Sequence, residues 1–95
     1  MYARVTTFKV EPARLPELSA KIEELAHIAK ALPGIVDAYV GWREDGQGVL
    51  VGVYNSKREA DRAVMRIQAV WGRFAEVLAA PPRTDIYDTV THIAG

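Results

Sequence analysis

Residues 35–54 read IVDAYVGWREDGQGVLVGVY, and this stretch decides the fold. Two runs rich in β-branched and aromatic residues, Ile35–Arg43 and Gly48–Tyr54, flank a short polar segment. Asp45-Gly46 within that segment is typical of a two-residue type I′ turn, in which both central residues have positive φ. The segment therefore predicts a β-hairpin.

A two-residue turn would also set the register of the hairpin, with Trp42 opposite Val49. One face of the hairpin would then be wholly apolar and is expected beneath the helices; it would carry Ala38, Val40, Trp42, Val49, Val51 and Val53. The other face would carry Tyr39, Leu50 and Tyr54 and remain uncovered. An uncovered apolar sheet face usually has a partner, so we expect a homodimer through this face.

The flanking sequence adds two helices and two strands. Strand one is expected at Tyr2–Val10, because it is rich in β-branched and aromatic residues and stops before Pro12. Apolar residues at helical spacing predict helix one from Pro12 to Leu32. Ser56-Lys-Arg-Glu59 is a capping box that opens helix two, which Pro81-Pro82 would end. The last strand is expected at Thr84–Ile93.

The order βαββαβ indicates an α+β ferredoxin-like sandwich, with a four-stranded antiparallel sheet and both helices on one side. Its 95 residues fit a single domain, residues 1–95. Twelve basic and twelve acidic side chains leave no net charge, which argues against a nucleic-acid partner. The absence of cysteine, of an export signal and of a long apolar run predicts a cytoplasmic protein without structural zinc or a membrane span.

Three segments together resemble a known family: strand Tyr2–Val10, the turn Leu32-Pro33-Gly34-Ile35 and the junction Val53-Tyr54-Asn55-Ser56-Lys57. They are similar to the dimeric α+β barrel superfamily, and within it to the antibiotic-biosynthesis-monooxygenase-like group. The resemblance spans nearly the whole chain and implies that two sheets close around a central cavity. It is specific for the fold and weak for activity, because one fold hosts many reactions.

The resemblance also bears on cofactors. Heme-degrading members of the superfamily use an Asn on strand one and a Trp and a His on helix two. The matching positions here are about Thr7, Ala63 and Arg73, so a heme site is not expected. The monooxygenase-like members work without metal or flavin, and the resemblance therefore implies no cofactor. In them the bound phenolic substrate is deprotonated and its anion passes an electron to oxygen.

Such chemistry needs a dry cavity, aromatic walls and a base or cation that lowers the pKa of the phenol. Arg4 is the expected cation, because an arginine on a central strand is costly unless it is paired or binds a ligand. The alternative for Arg4 is an ion pair across the dimer with Asp37, Asp85 or Asp88. The substrate-binding candidates are Phe8, Tyr39, Tyr54, Trp71 and Tyr87.

His92 is a second catalytic candidate, because it follows Asp88 by four residues and would share a face of the last strand with it. The two side chains would lie about 13 Å apart on an extended strand, too far for direct contact. A terminal or interface position is the alternative for His92. Trp71 lies within the apolar stripe of helix two, so core packing is the alternative for it.

Two functions from different classes remain open. The first is a cofactor-independent monooxygenase that acts on a small aromatic or polyketide-like compound in the cavity, as the resemblance implies. The second is a non-catalytic dimer that binds a small ligand or has a structural role. A solvent-accessible cavity lined by Arg4, Tyr39 and Tyr54 would favour binding or catalysis, whereas a salt-bridged Arg4 in a packed interface would favour the structural role.

Overall fold

The computed structural model of the chain describes residues 1–94. Its elements are β1 (Tyr2–Val10), a 3₁₀ turn (Pro12–Arg14), α1 (Leu15–Lys30), β2 (Ile35–Trp42), β3 (Gln47–Tyr54), α2 (Lys57–Phe74) and β4 (Leu78–Tyr87). All neighbouring strands are antiparallel, in the order β2-β3-β1-β4. The predicted α+β ferredoxin-like fold is therefore confirmed. No helix within residues 1–94 has the length and hydropathy needed to cross a bilayer.

Both helices pack on the same face of the sheet. Even-numbered side chains of β1 point toward them, since successive residues of a strand alternate between faces. Phe8 and Val10 lie in one buried cluster with Val70 and Phe74 of α2. Tyr2 lies in a second buried cluster, with Tyr54, Ala60 and Ala63. The helix-facing side of β1 therefore carries Tyr2, Arg4, Thr6, Phe8 and Val10.

Helix α2 begins at the predicted cap, with one of the two hydrogen bonds of a capping box. The Glu59 amide donates a hydrogen bond of 3.3 Å to the Ser56 hydroxyl, which satisfies one of the free N–H groups of the first turn. The Glu59 carboxylate lies 3.7 Å from Arg62. The helix ends at Phe74, well before Pro81-Pro82, so those prolines do not terminate it.

The predicted type I′ turn is wrong. In the observed turn the Gly46 amide donates to the Arg43 carbonyl at 2.9 Å. A type I′ turn needs positive φ at both Asp45 and Gly46. Gly46 has φ 91°, but Asp45 does not have positive φ, since no residue other than glycine has it in the described part of the chain. This geometry is that of a longer hairpin loop, with a turn of ordinary φ followed by a left-handed glycine. The longer loop changes the register of the strands that follow it.

The observed register pairs Trp42 with Gly48 and Val40 with Leu50, one residue away from the predicted pairing. A slip of one residue moves every side chain of a strand to the opposite face. On β3, Leu50 and Tyr54 therefore face the helices. The valines expected beneath the helices instead lie on the other side of the sheet, and these are Val49, Val51 and Val53.

Gly48 of β3 explains why this register packs well. The ring of Phe8 lies against Gly48, where an added Cβ would come within 2.2 Å of the ring. The predicted register would bring Val49 to the position that Gly48 occupies, and a valine has no room beside that ring. The side chain of Phe8 and the missing side chain of Gly48 therefore favour the observed alignment of β1 and β3.

The predicted last strand is also misplaced. β4 spans Leu78–Tyr87 and includes Pro81-Pro82, while residues 88–94 form no regular structure. The register with β1 shifts between the pairs Thr7–Arg83 and Lys9–Ala80, so the prolines lie at an irregularity of the ladder. β4 is an edge strand, and edges and bulges are where a sheet tolerates proline. His92 therefore does not lie on a strand with Asp88.

Candidate functional site between the sheet and the helices

A cavity lies between the sheet and the two helices, and we call it the sheet–helix cavity. The empty space between these elements amounts to about 510 Å³, a figure that counts the gaps between side chains and the part open to solvent. Its walls are mostly apolar side chains of α1, the turn after it, β3 and α2, namely Leu25, Ile28, Leu32, Leu50, Ile67 and Val70. Three polar side chains also line it: Arg4, Thr6 and Tyr54. A few polar groups in an apolar pocket are typical of a small-molecule site.

Arg4 enters the cavity from β1, a central strand of the sheet. It pairs with Gly52 of β3 on one side and with Ile86 of β4 on the other. Among residues 1–94, no ion pair or side-chain hydrogen bond includes Arg4. Arginine keeps its charge at any ordinary pH and cannot neutralise itself by releasing a proton. The cavity therefore contains a permanent positive charge that no carboxylate of the described chain offsets.

Tyr54 places its phenol in the same cavity, although the residue as a whole is only 1% exposed. Burial raises the pKa of its hydroxyl above the ordinary value, and the positive charge of Arg4 acts in the opposite direction. Within residues 1–94 no buried side-chain oxygen or nitrogen lacks a partner, and Tyr54 makes no side-chain hydrogen bond. Its hydroxyl therefore has no side-chain partner in the described chain, and the residue borders the cavity.

Thr6 is the third polar residue, and it is buried. Its hydroxyl lies 2.8 Å from the hydroxyl of Thr84 on β4, so one of the two donates to the other. A hydroxyl can donate one hydrogen bond and accept others, and the pair holds Thr6 in place. Thr6 was not among the residues predicted from the sequence. The signal was present in the alternation of β1, because Thr6 lies two residues from Arg4 and so shares its face.

A second, smaller gap of about 320 Å³ adjoins the sheet–helix cavity and is lined by apolar side chains alone. Phe8 and Trp71 line this gap, with ring centroids 5.6 Å apart. Three residues border both spaces: Leu25, Leu50 and Val70. Phe8 and Trp71 thus lie next to the polar groups without lining the same cavity.

The remaining predicted site residues lie elsewhere. Tyr39 is 65% exposed and Tyr87 is 53% exposed. Their cross-strand partners, Val51 and Ala3, place them on the sheet face opposite the helices. His92 is exposed in the segment after β4. The predicted set is therefore divided, and of its members only Arg4 and Tyr54 line the sheet–helix cavity.

The ion pairs considered for Arg4 were with aspartates of a second subunit and stay predictions; within the described chain Arg4 forms no ion pair. Asp37 and Asp85 pair with Val53 and Val5 across the sheet, so they lie on the face away from the helices. Arg4 points to the other side. The register thus places the carboxylates of Asp37 and Asp85 on one side of the sheet and Arg4 on the other, where it faces the cavity.

No family model matches the sequence, and no curated protein matches it significantly. Solved structures do resemble it. A proposed antibiotic biosynthesis monooxygenase from Caulobacter crescentus CB15 superposes with a TM-score of 0.80 at 22% identity, over 95% of this chain and 90% of that one. A protein of unknown function from Nitrosomonas europaea superposes with a TM-score of 0.83 at 11% identity, over 99% and 93% of the two chains.

A variant of SnoaB, a cofactor-independent oxygenase from Streptomyces nogalater, superposes with a TM-score of 0.75 at 16% identity. The match covers 99% of this chain and 97% of that one. At these identities the likeness establishes the fold and leaves the activity open. The resemblance expected from the sequence is confirmed at that level: this chain has the fold of the proteins named antibiotic biosynthesis monooxygenases.

Proposed function

We propose that the protein is a cofactor-independent oxygenase for a small aromatic compound with an ionisable hydroxyl group, bound in the sheet–helix cavity. The observation that carries the proposal is Arg4, a charged side chain without a carboxylate partner in the described chain, beside the free hydroxyl of Tyr54. A positive charge in an apolar site favours the ionised form of a bound phenol and lowers its pKa. The proposed substrate is therefore held as its phenolate.

The phenolate is the reactive species in this proposal. It transfers one electron to dioxygen, and the resulting radical pair combines at a ring carbon to form a peroxide. Loss of water from the peroxide leaves a quinone, so one phenol and one O₂ give one quinone and one H₂O. The apolar walls contributed by Leu50 and Ile67 exclude water from the charged intermediates. The oxygenase neighbour of the same fold supports this class of reaction.

Oxygen uptake with a naphthalenediol as the probe tests the proposal. We expect consumption that persists in the presence of EDTA and without added flavin. Arg4→Leu should lower the rate by at least about tenfold, because the phenolate loses the cation that stabilises it. The matched control is Arg43→Leu, since Arg43 is exposed in the hairpin loop and pairs with Asp45. Equal rates for Arg4→Leu and Arg43→Leu would contradict the proposal.

A ligand-binding protein without catalysis is the second candidate, and one observation favours it. No Asp, Glu or His side chain of the described chain lines the cavity, so the structure offers no ordinary general base for the phenol proton. A substrate that is acidic enough to ionise beside Arg4 needs no such base. Binding of the naphthalenediol without oxygen uptake, abolished by Arg4→Leu, would favour this second function.

We also propose that the chain forms a homodimer through the sheet face opposite the helices. This open face carries Val5, Tyr39, Val49, Val51 and Tyr87. A contiguous apolar surface of this kind is usually covered by a partner. Tyr39→Glu should shift the mass measured by light scattering from dimer to monomer. Met65→Glu is the control, because Met65 is 82% exposed on α2, and a monomeric parent protein would refute the proposal.

A further inference from the structure

Gly52 occupies a distinctive position in the sheet–helix cavity. It pairs with Arg4 of β1, and Tyr54 follows it by two residues on the same face of β3. An ideal Cβ on Gly52 would lie 3.2 Å from Cε2 of Tyr54 and 3.3 Å from its hydroxyl oxygen. The tyrosine ring therefore lies back along its own strand, and its hydroxyl is above the residue that faces Arg4.

The ring of Tyr54 has little space in which to move away from position 52. Tyr54 is 1% exposed and packs in a cluster with Tyr2 and with Ala60 and Ala63 of α2, both of which are fully buried. Protein cores are close-packed, so a methyl group added on one side of a ring must be accommodated on the other. A side chain at position 52 would therefore displace the hydroxyl of Tyr54.

We propose that Gly52 is a positioning residue: its missing side chain keeps the Tyr54 hydroxyl beside Arg4, so that both groups bind one oxygen of the ligand. This inference rests on the proposed function, because it concerns the same cavity. Tyr54 donates a hydrogen bond to the ligand oxygen, and Arg4 stabilises its negative charge. Neither group has another side-chain partner within residues 1–94.

This arrangement determines which ligands fit. A phenolate oxygen satisfies the donor of Tyr54 and the charge of Arg4 together. An aromatic compound without that oxygen would leave two polar groups unpaired in an apolar cavity, which is costly. Discrimination by such pairing is much stronger than discrimination by the shape of an apolar pocket. The specificity of the cavity would thus depend on a residue that has no side chain.

A double-mutant cycle with 4-nitrophenol as the probe tests the inference, because the absorbance of its phenolate reports both binding and the pKa of the bound ligand. Tyr54→Phe should weaken phenolate binding by about tenfold, the usual effect of a lost hydrogen bond to a charged group. Gly52→Ala should weaken it to a similar extent. Tyr54→Phe should have no further effect in the Gly52→Ala background, since the hydroxyl is already displaced.

Gly41→Ala is the matched control. Gly41 lies on the neighbouring strand β2, and an added Cβ there would meet no atom within 4 Å. Affinity and the pKa of the bound probe should be unchanged in this variant, whereas both Gly52→Ala and Tyr54→Phe should raise that pKa. The pKa of the bound probe separates a displaced hydroxyl from a general loss of packing. A cavity that is looser but keeps its polar contacts would not raise this pKa in Gly52→Ala by as much as in Tyr54→Phe.

Two results would overturn the inference. The first is additive effects of Gly52→Ala and Tyr54→Phe, which would show that position 52 acts independently of the hydroxyl. The second is wild-type affinity in Tyr54→Phe, which removes the hydroxyl without altering position 52 and so tests the inference even if Gly52→Ala does not fold. Failure of the proposed function looks different, because the wild-type protein and Arg4→Leu would then bind the phenolate equally.

Discussion

The two ends of the layer between the sheet and the helices differ sharply, although the same elements build both. At one end, which we call the apolar end, Phe8, Val10, Val70, Phe74 and Val77 form a buried cluster. At the other end, the cavity end, Arg4 and Thr6 replace apolar residues on the same face of β1, and a cavity opens beside Tyr54. The helix-facing side of β1 thus changes from apolar to polar within four residues.

Helix α2 spans both ends. Its first turns carry Ala60 and Ala63, which pack against Tyr54, and its last turns carry Val70 and Phe74, which fill the apolar end. The helix thus carries small residues where it packs against Tyr54 and larger ones where it fills the apolar end. In α1, by contrast, only Leu18 is buried. The α1 wall of the cavity is therefore the more easily moved of the two, as ligand access would require.

The largest expected effect is at the apolar end. Phe8→Ala should lower the free energy of unfolding by about 3–5 kcal/mol, because it removes a buried ring and leaves a void. Phe8 is 5% exposed and contacts Trp71 as well as Gly48. Urea denaturation followed by circular dichroism measures the change. A loss below about 1 kcal/mol would mean that the apolar end is not the main source of stability.

The corresponding substitution at the cavity end should have the opposite sign. Arg4→Leu should raise the free energy of unfolding by about 1 kcal/mol, because it removes an uncompensated charge from apolar surroundings. The same urea titration serves here. A marked destabilisation would show that Arg4 has a structural partner, and it would abolish the contrast between the two ends.

A smaller effect is expected in the last turn of α2. Gly72 continues the helix, and a Cβ there would meet no atom within 4 Å. Gly72→Ala should therefore raise the free energy of unfolding by roughly 0.5–1 kcal/mol, since alanine loses less conformational freedom in a helix. Phenolate binding should not change, because Gly72 does not line the cavity. A change in affinity would indicate that the two ends are coupled through α2.

The pH dependence of stability gives the finest test of the cavity end. Burial raises the pKa of Tyr54 in the folded protein above its ordinary value of 10.0. The folded state therefore keeps a proton that the unfolded chain has already released, so the stabilising contribution is complete below pH 10 and is lost as the pH rises above it. Tyr54→Phe should lose less stability than the wild-type protein between pH 8 and pH 11.

Lys57 is the group to separate from Tyr54 in that experiment. Its hydrogen bond to Asp61 raises its pKa, which gives a loss of stability in the same direction at alkaline pH. Lys57 is exposed, and the same pair is present in Tyr54→Phe. The difference between the two proteins therefore isolates Tyr54, and identical pH profiles would contradict a buried phenol at the cavity end.

Much of this fold was predictable from local patterns. The order of elements, the cap at Ser56 and the antiparallel sheet follow from periodicity and turn residues, which act over a few neighbouring positions. Arg4 and Tyr54 were recognised as candidates because an arginine on a central strand and an aromatic residue on an uncovered sheet face are unusual. The sequence suggested that they line one cavity, but with Tyr39 and on the uncovered face; their placement beneath the helices was not predicted, since it requires knowing which side of each strand faces the helices.

The errors share one physical cause. Asp45-Gly46 allows more than one hairpin loop, and the choice between them shifts the pairing by a single residue. That shift moved Val49, Val51 and Val53 to the open face and turned Leu50 and Tyr54 toward the helices. Pro81-Pro82 caused the second error, which was to end helix two at these prolines and begin the last strand after them. Proline is excluded from a central strand but permitted at an edge. Whether β4 lies at the edge of the sheet cannot be read from neighbouring residues.

The sequence by itself determined the class of fold, because helix periodicity, strand alternation and capping are properties of neighbouring residues. Only the tertiary structure decided the register of β3, the inclusion of the prolines in β4 and the meeting of Arg4 with Tyr54 above Gly52. These features depend on which side chains fit against one another across strands, such as the ring of Phe8 against Gly48. Close packing selects among registers that local patterns leave nearly equal.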